Sequence, residues 1–189
     1  MTIEAIADAA LNLVKRCDET DPERLADSLG IHVSYEPMGL YDGCCKGFFL
    51  VYHRIRHITV NSDLPPELQR VVLAHELGHA VLHADLGQAA FHDVTLFDSA
   101  DETEYEANIF ASELLLPDDK VLAALNDDMF FFQAARALYV PSEMLDFKFR
   151  IMKRRGYQVQ SPIETNSDFL KHLEKPLTEN EIGNTGNKS

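Results

Sequence analysis

Two histidines and a glutamate within five residues are the side chains best suited to do chemistry. His75, Glu76 and His79 form the pattern H-E-x-x-H. Residues four apart lie on one face of a helix, so both imidazoles can bind a single metal ion. Glu76 directly follows the first histidine and can act as a general base toward a water molecule. The pattern predicts the metal centre of a zinc hydrolase; the alternative is a pair of ordinary buried histidines.

A helix must hold this pattern in place, and the surrounding sequence predicts one over residues 66–84. Residues 62–67 combine small polar residues, two prolines and an acid, which is typical of the start of a helix. Apolar residues then recur at helical spacing. The two histidines are therefore expected in the interior of a helix rather than at its end.

A catalytic zinc site usually has three protein ligands, so a third ligand is expected elsewhere in the chain. Asp85 follows the pattern at a suitable distance, but no glycine precedes it to turn the chain back toward a metal. A second predicted helix opens near residue 101 and offers Glu102, Glu104 and Glu106. Spacing alone does not choose among these acids, and each has an alternative as a solvated residue favoured by the helix dipole.

The second helix also carries the signature of a known family. Residues 104–117 read EYEANIFASELLLP, which resembles the run E-A-N-x-F-A-x-x-L-L of the ImmA/IrrE metallopeptidases. The resemblance covers roughly residues 20–156. It implies a zincin-like peptidase domain in which Glu76 is the catalytic base. It further implies that the metal ligands are His75, His79 and Glu106.

Helical geometry agrees with the choice of Glu106. This acid shares a face with the apolar residues three and four positions later, whereas Glu104 is expected to point elsewhere. Glu102 shares the same face but lies in the first turn. Asn108 and Glu113 are candidates to hydrogen-bond a metal ligand, with a surface amide and a surface acid as the alternatives.

A further histidine follows the motif. His83 lies four residues after His79, on the same helical face. It can orient a metal ligand or donate to a developing oxyanion. The sequence favours a simpler interpretation, an ordinary histidine near the end of a helix.

The residues before the motif predict a mainly helical α+β fold with a small three-stranded sheet. An amphipathic helix comes first, followed by a short helix closed by Gly30. Strands are expected over residues 31–35, 47–52 and 57–60, and a basic turn over 53–56 joins the last two. An edge of this sheet is a candidate place for an extended peptide to bind.

The residues after the signature predict a helical unit that resembles a helix-turn-helix. Its final helix, over residues 142–155, carries five cations in a chain whose net charge is −14. Because an acidic surface repels nucleic acid, a scaffold role is favoured over DNA binding. We expect a peptidase domain over residues 1–117, the helix-turn-helix-like unit over 118–160, and a polar, disordered tail over 161–189.

Composition predicts a soluble cytoplasmic protein. The chain of 189 residues is 46% hydrophobic and 25% charged, and it has no run of 18 apolar residues. Its first residues lack the basic segment and apolar stretch of a signal peptide. Two of the three cysteines are adjacent, so a disulfide framework is not expected.

These observations predict a zinc-dependent endopeptidase. Mn²⁺ or another divalent ion is an alternative metal, because two histidines and a glutamate are not exclusive to zinc. The family resemblance implies a protein substrate, typically a helix-turn-helix repressor whose cleavage releases transcription of a mobile element or of stress genes. The alternative function is a DNA- or repressor-binding regulatory protein with a structural metal site.

Overall fold

The computed structural model describes residues 1–41, 43–83, 101–126 and 130–162. The predicted α+β class, mainly helical with a small three-stranded sheet, is confirmed. In chain order the elements are α1 (Ile3–Cys17), α2 (Pro22–Ser28), β1 (Ile31–Glu36), β2 (Gly47–Tyr52), β3 (Ile55–Asn61), α3 (Pro66–Leu82), α4 (Glu102–Leu115), α5 (Asp118–Asn126), α6 (Phe131–Ala137) and α7 (Ser142–Arg154).

The three strands form a mixed sheet in the order β1-β3-β2. Strand β1 runs parallel to β3, and β2 runs antiparallel to it. The turn between β2 and β3 is tighter than the four residues predicted, since β3 already begins at Ile55. His53 and Arg54 make this turn with φ angles of 49° and 67°, as a two-residue hairpin requires. The strand order makes β2 an edge strand of the sheet.

The motif helix α3 is central to the fold. The side chains of Ile58 and Val60 on β3 are fully buried, and α3 packs against both β2 and β3. Its residues from Val71 to Ala80 are all buried. Because the helix is covered on every side, its apolar pattern does not reveal which neighbour a given side chain meets.

Helix α4 crosses α3 at Gly78, the glycine inside the motif. A Cβ atom at this position would lie 3.2 Å from the Cα and carbonyl oxygen atoms of Ala107. A side chain here would push the two backbones apart by a few tenths of an ångström, so glycine favours this close approach. Asp101 caps α4 by accepting a hydrogen bond from the amide of Thr103 at 2.8 Å.

A buried ionic cluster connects α7 to α4 and to the start of α5. Lys148 is fully buried, and its Nζ atom lies 2.9 Å from Oε1 of Glu113 and 2.6 Å from Oδ1 of Asp118. Arg155 contacts the same two carboxylates at 3.0 and 3.1 Å. The buried apolar residues from Ile6 to Val159 form one continuous core. The division of the chain at residues 117 and 160 stays a prediction, and the predicted tail lies almost wholly outside the described residues.

None of the helices in the described ranges is long and apolar enough to span a membrane.

Candidate metal centre

Three side chains from α3 and α4 converge on one point. The Nε2 atoms of His75 and His79 lie 3.1 Å apart. One carboxylate oxygen of Glu104 lies 3.1 Å from Nε2 of His75, and the other lies 3.3 Å from Nε2 of His79. All three residues are buried or nearly so. Among the residues that the structure describes, these three side chains are the group arranged so that it could hold a metal ion.

The geometry of this group fits a tetrahedral metal ion. Tetrahedral zinc with bonds of about 2.0–2.1 Å to nitrogen and oxygen separates its ligand atoms by about 3.4 Å. The separation of the two Nε2 atoms, 3.1 Å, and that of Nε2 of His75 from Oε2 of Glu104, also 3.1 Å, are within a few tenths of an ångström of that value, and the other carboxylate oxygen, Oε1, contacts Nε2 of His79 at 3.3 Å. Two imidazoles and one carboxylate are also a donor set that catalytic zinc accepts.

Asn108 orients one of the two histidines. Its Oδ1 atom lies 2.9 Å from Nδ1 of His75. A carbonyl oxygen can only accept, so Nδ1 of His75 carries the proton and its Nε2 atom presents a lone pair. The structure therefore places Asn108 in contact with a proposed metal ligand, and its role in supporting that ligand stays a prediction.

The structure brings Glu104, and not Glu106, to the two histidines. The expectation that Glu104 points elsewhere is wrong, because its carboxylate contacts both imidazoles. Glu106 instead lies 3.0 Å from Nε2 of His83 and contacts the amino group of Met1. The metal-binding role of either acid is a proposal, but the geometry favours Glu104.

The prediction for Glu106 came from the family resemblance, and its alignment with the apolar stripe of α4 supported that prediction. That stripe does not mark the side facing the motif, because α4 is buried on all sides from Glu106 to Leu115. The side that faces α3 is set by the close contact between Gly78 and Ala107. Glu104 lies three residues before Ala107 and so points to the same side.

The other candidate residues lie elsewhere. Glu102 is the first residue of α4 and is largely exposed. Glu113 contacts Lys148 and Arg155 in the ionic cluster rather than either motif histidine. Asp85, the remaining candidate for the third ligand, lies outside the described residues.

The proposed base lies beside the start of the edge strand. Glu76 is fully buried on α3. A Cβ atom built on Gly47, the first residue of β2, would lie 3.7 Å from Cγ of Glu76 and 2.5 Å from Cγ1 of Val72. The lack of a side chain at Gly47 therefore allows the edge strand to pass close to Glu76.

Most of the cations on α7 contact other parts of the protein. Lys148 and Arg155 belong to the ionic cluster. Arg154 donates to the hydroxyl of Tyr105 at 2.9 Å. Arg150 pairs with Asp146 at 3.3 Å and lies over the ring of Phe147, in the same helix. The scaffold role expected for this helix stays a prediction.

Comparison with known proteins places the chain among peptidases. Residues 26–150 match the family model described as the IrrE N-terminal-like domain. The chain is 36% identical to the uncharacterized immunity region protein 2 of Bacillus phage phi105, over 74% of this chain and 86% of that protein.

Two further relatives are described as metallopeptidases. The radiation response metalloprotease IrrE of Deinococcus deserti is 36% identical over 58% of this chain, and metallopeptidase ImmA of Bacillus subtilis is 37% identical over 48%. The matched parts are 36% of IrrE and 53% of ImmA, so the chain spans only part of each of these two relatives. The resemblance seen in residues 104–117 is confirmed by these matches. The chain belongs to the family of metallopeptidases defined by the IrrE N-terminal-like domain.

Proposed function

We propose that the chain is a zinc-dependent endopeptidase whose metal ligands are His75, His79 and Glu104. The observation that carries this proposal is that His75 and His79, on the helix that also bears Glu76, meet the carboxylate of Glu104 from α4, with contacts of 3.1 to 3.3 Å. Bound zinc would supply a Lewis acid that polarises a peptide carbonyl and lowers the pKa of water. Mn²⁺ or another divalent ion is compatible with the same donors.

Glu76 is the proposed general base. Its carboxylate accepts a proton from the water molecule that attacks the carbonyl carbon of the peptide bond. The same carboxylate then delivers that proton to the leaving amine nitrogen, so that the carboxylate returns to its starting state. Burial of Glu76 among α3 and the start of β2 keeps bulk water from competing for this transfer.

Strand β2 is the proposed binding place for an extended substrate. It lies at the edge of the sheet, and its first residue passes beside Glu76. A peptide that added to this edge as a further strand would be held by main-chain hydrogen bonds near the base. Proline substitutions along β2 that preserve the fold and the metal are expected to reduce cleavage.

The proposed substrate is a helix-turn-helix repressor. Support comes from the relative in a phage immunity region and from the relative named ImmA. Cleavage of such a repressor would release transcription of a mobile element or of stress genes. The alternative, a DNA-binding regulator, is less well supported because four cations of α7 already contact protein groups.

Metal content separates the two acids proposed as the third ligand. The purified chain is expected to contain about one zinc ion. Glu104→Ala should lose most of it, because only two protein ligands remain, while Glu106→Gln should retain it. Elemental analysis after dialysis measures both. Full zinc content in Glu104→Ala together with loss in Glu106→Gln would return the ligand role to Glu106, and no metal in the wild type would leave a regulatory protein as the better account.

A further inference from the structure

A histidine and a carboxylate lie directly behind one of the proposed metal ligands. Nδ1 of His83 is 3.1 Å from Nδ1 of His79, and Nε2 of His83 is 3.0 Å from Oε2 of Glu106. We infer that His83 and Glu106 are positioning residues, which hold His79 in the tautomer that can bind the metal. This inference rests on the proposed metal centre and gives Glu106 a role other than that of a ligand.

The direction of the hydrogen bonds follows from the donors and acceptors available. A carboxylate oxygen accepts, so Nε2 of His83 must donate to Glu106. A neutral imidazole has one donor and one acceptor nitrogen, so Nδ1 of His83 accepts. Nδ1 of His79 therefore donates to His83, and Nε2 of His79 is left without a proton.

The other histidine reaches the same state through a different partner. Asn108 accepts from Nδ1 of His75 and so leaves its Nε2 unprotonated as well. The two Nε2 lone pairs then face each other at 3.1 Å. Such an arrangement is repulsive by itself and is stabilised by a cation between the two nitrogen atoms.

His83 and Glu106 lie largely inside the protein rather than at its surface. The side chains of His83 and Glu106 are 10% and 9% exposed, so water competes little for their hydrogen bonds. The amide of His83 also donates to the carbonyl oxygen of His79 at 2.9 Å, which orients the residue at the end of α3. His83 and Glu106 thereby connect α3 to α4 on the far side of His79 from Glu104.

The inference predicts a graded loss of zinc affinity. Removing a partner that orients a metal ligand typically weakens metal binding 10- to 100-fold. Glu106→Ala and His83→Ala are each expected to raise the Kd for Zn²⁺ by about 10-fold or more. Glu106→Gln should stay within about 3-fold of the wild type, because its amide oxygen can still accept from His83. The control is Glu102→Ala, which removes an exposed acid from the same helix and should leave the Kd unchanged.

Competition of each protein with a chromophoric chelator for Zn²⁺ measures these Kd values, and circular dichroism verifies the fold. Nitrogen-15 NMR of the imidazoles provides a readout that a purely structural role would not move. In the wild type, Nδ1 of His79 should carry the proton, and this signature should be lost in Glu106→Ala and rescued in Glu106→Gln.

Several results would overturn the inference. One is wild-type zinc affinity in Glu106→Ala, and another is an equal loss in Glu106→Gln and Glu106→Ala. A wild-type protein that binds no zinc would overturn the metal centre as well, whereas zinc binding that is unchanged by both His83→Ala and Glu106→Ala would overturn the positioning role alone.

Discussion

At the scale of single residues, three glutamates at the site have different neighbours, and the linear sequence motif does not reveal this difference. Glu76, Glu104 and Glu106 are all buried glutamates, yet each meets different neighbours. Glu76 lies by the edge strand, Glu104 contacts both motif histidines, and Glu106 contacts His83. Chemical identity therefore does not assign the roles of base, ligand and positioning residue; the direction of each side chain does.

Glu76→Gln tests the role of the base. The substitution keeps the shape of the side chain but removes its ability to take a proton, so the rate of cleavage should fall by about 10²- to 10⁴-fold. Zinc content should remain at the wild-type value, because the three proposed ligands are intact. Cleavage of candidate repressors by purified protein, followed by mass spectrometry, measures the rate.

The matched control for that experiment is Glu67→Gln, which alters an acid in the first turn of the same helix. Its rate should equal that of the wild type. If Glu76→Gln cleaved as fast as the wild type, another group would have to be the base.

At the scale of the helices and strands, the site depends on how closely two helices cross. Gly78 allows α4 to approach α3, and Glu104 extends from α4 only one turn before the contact at Ala107. Gly47 allows a similar close approach of β2 to the motif helix, near Val72 and Glu76. Two glycines thus set the distances from α3 to the proposed ligand and to the edge strand.

Gly78→Ala is expected to disturb the proposed metal centre, because the added methyl group would push α4 away from α3. The added methyl group would lie 3.2 Å from backbone atoms of Ala107, which cannot rotate away. The free energy of unfolding should fall by about 1–3 kcal/mol, despite the better helix propensity of alanine. Zinc affinity should also fall, because α4 carries Glu104 with it when it shifts. Urea unfolding and zinc titration measure the two effects.

Val81→Ala provides the comparison, since it removes packing from the same helix without forcing α4 away. It should lower stability while leaving zinc affinity close to the wild-type value. Equal zinc affinity in Gly78→Ala and the wild type would mean that the position of Glu104 does not depend on this crossing.

At the scale of the whole molecule, a buried ionic cluster joins helix α7 to the helix that carries the proposed ligand. Lys148 and Arg155 on α7 contact Glu113 on α4 and Asp118 at the start of α5. Burial by itself raises the pKa of Asp118, but hydrogen bonds and charge from Lys148 and Arg155 outweigh it and hold this pKa below its ordinary value. The negative charge of Asp118 is therefore stabilised in the folded protein.

This lowered pKa predicts a loss of stability in acid. A carboxyl group whose pKa is lower in the folded state stabilises the fold above its unfolded pKa of about 4 and loses that contribution as the pH falls through the folded pKa. The free energy of unfolding of the wild type should therefore decrease between pH 6 and pH 3. Asp118→Asn should be less stable than the wild type at pH 6 and should lose less on acidification.

Urea denaturation at the two pH values measures the difference between these proteins. Asp119→Asn changes a neighbouring exposed acid and should follow the wild type. If the free energy of unfolding depended on pH in the same way in the wild type and in Asp118→Asn, the cluster would contribute nothing to the loss of stability in acid.

Features that depend on residues close together in the chain could be predicted from the sequence, whereas features that depend on distant residues could not. The starts of α2 at Pro22 and of α3 at Pro66 were predictable, because a few adjacent residues govern the beginning of a helix. Strands β1 and β2 were predictable from alternation and composition, although the tight turn at His53 and Arg54 was not. The neighbours of Glu113 were also missed, since its partner Lys148 is 35 residues away.

The sequence alone was sufficient to put His75, Glu76 and His79 on one helix and to suggest the family, because spacing within a helix is a local property. Choosing among Glu102, Glu104 and Glu106 required the folded molecule. Which side of α4 faces the histidines depends on the crossing of two helices at Gly78, and that crossing depends on packing among residues far apart in the chain.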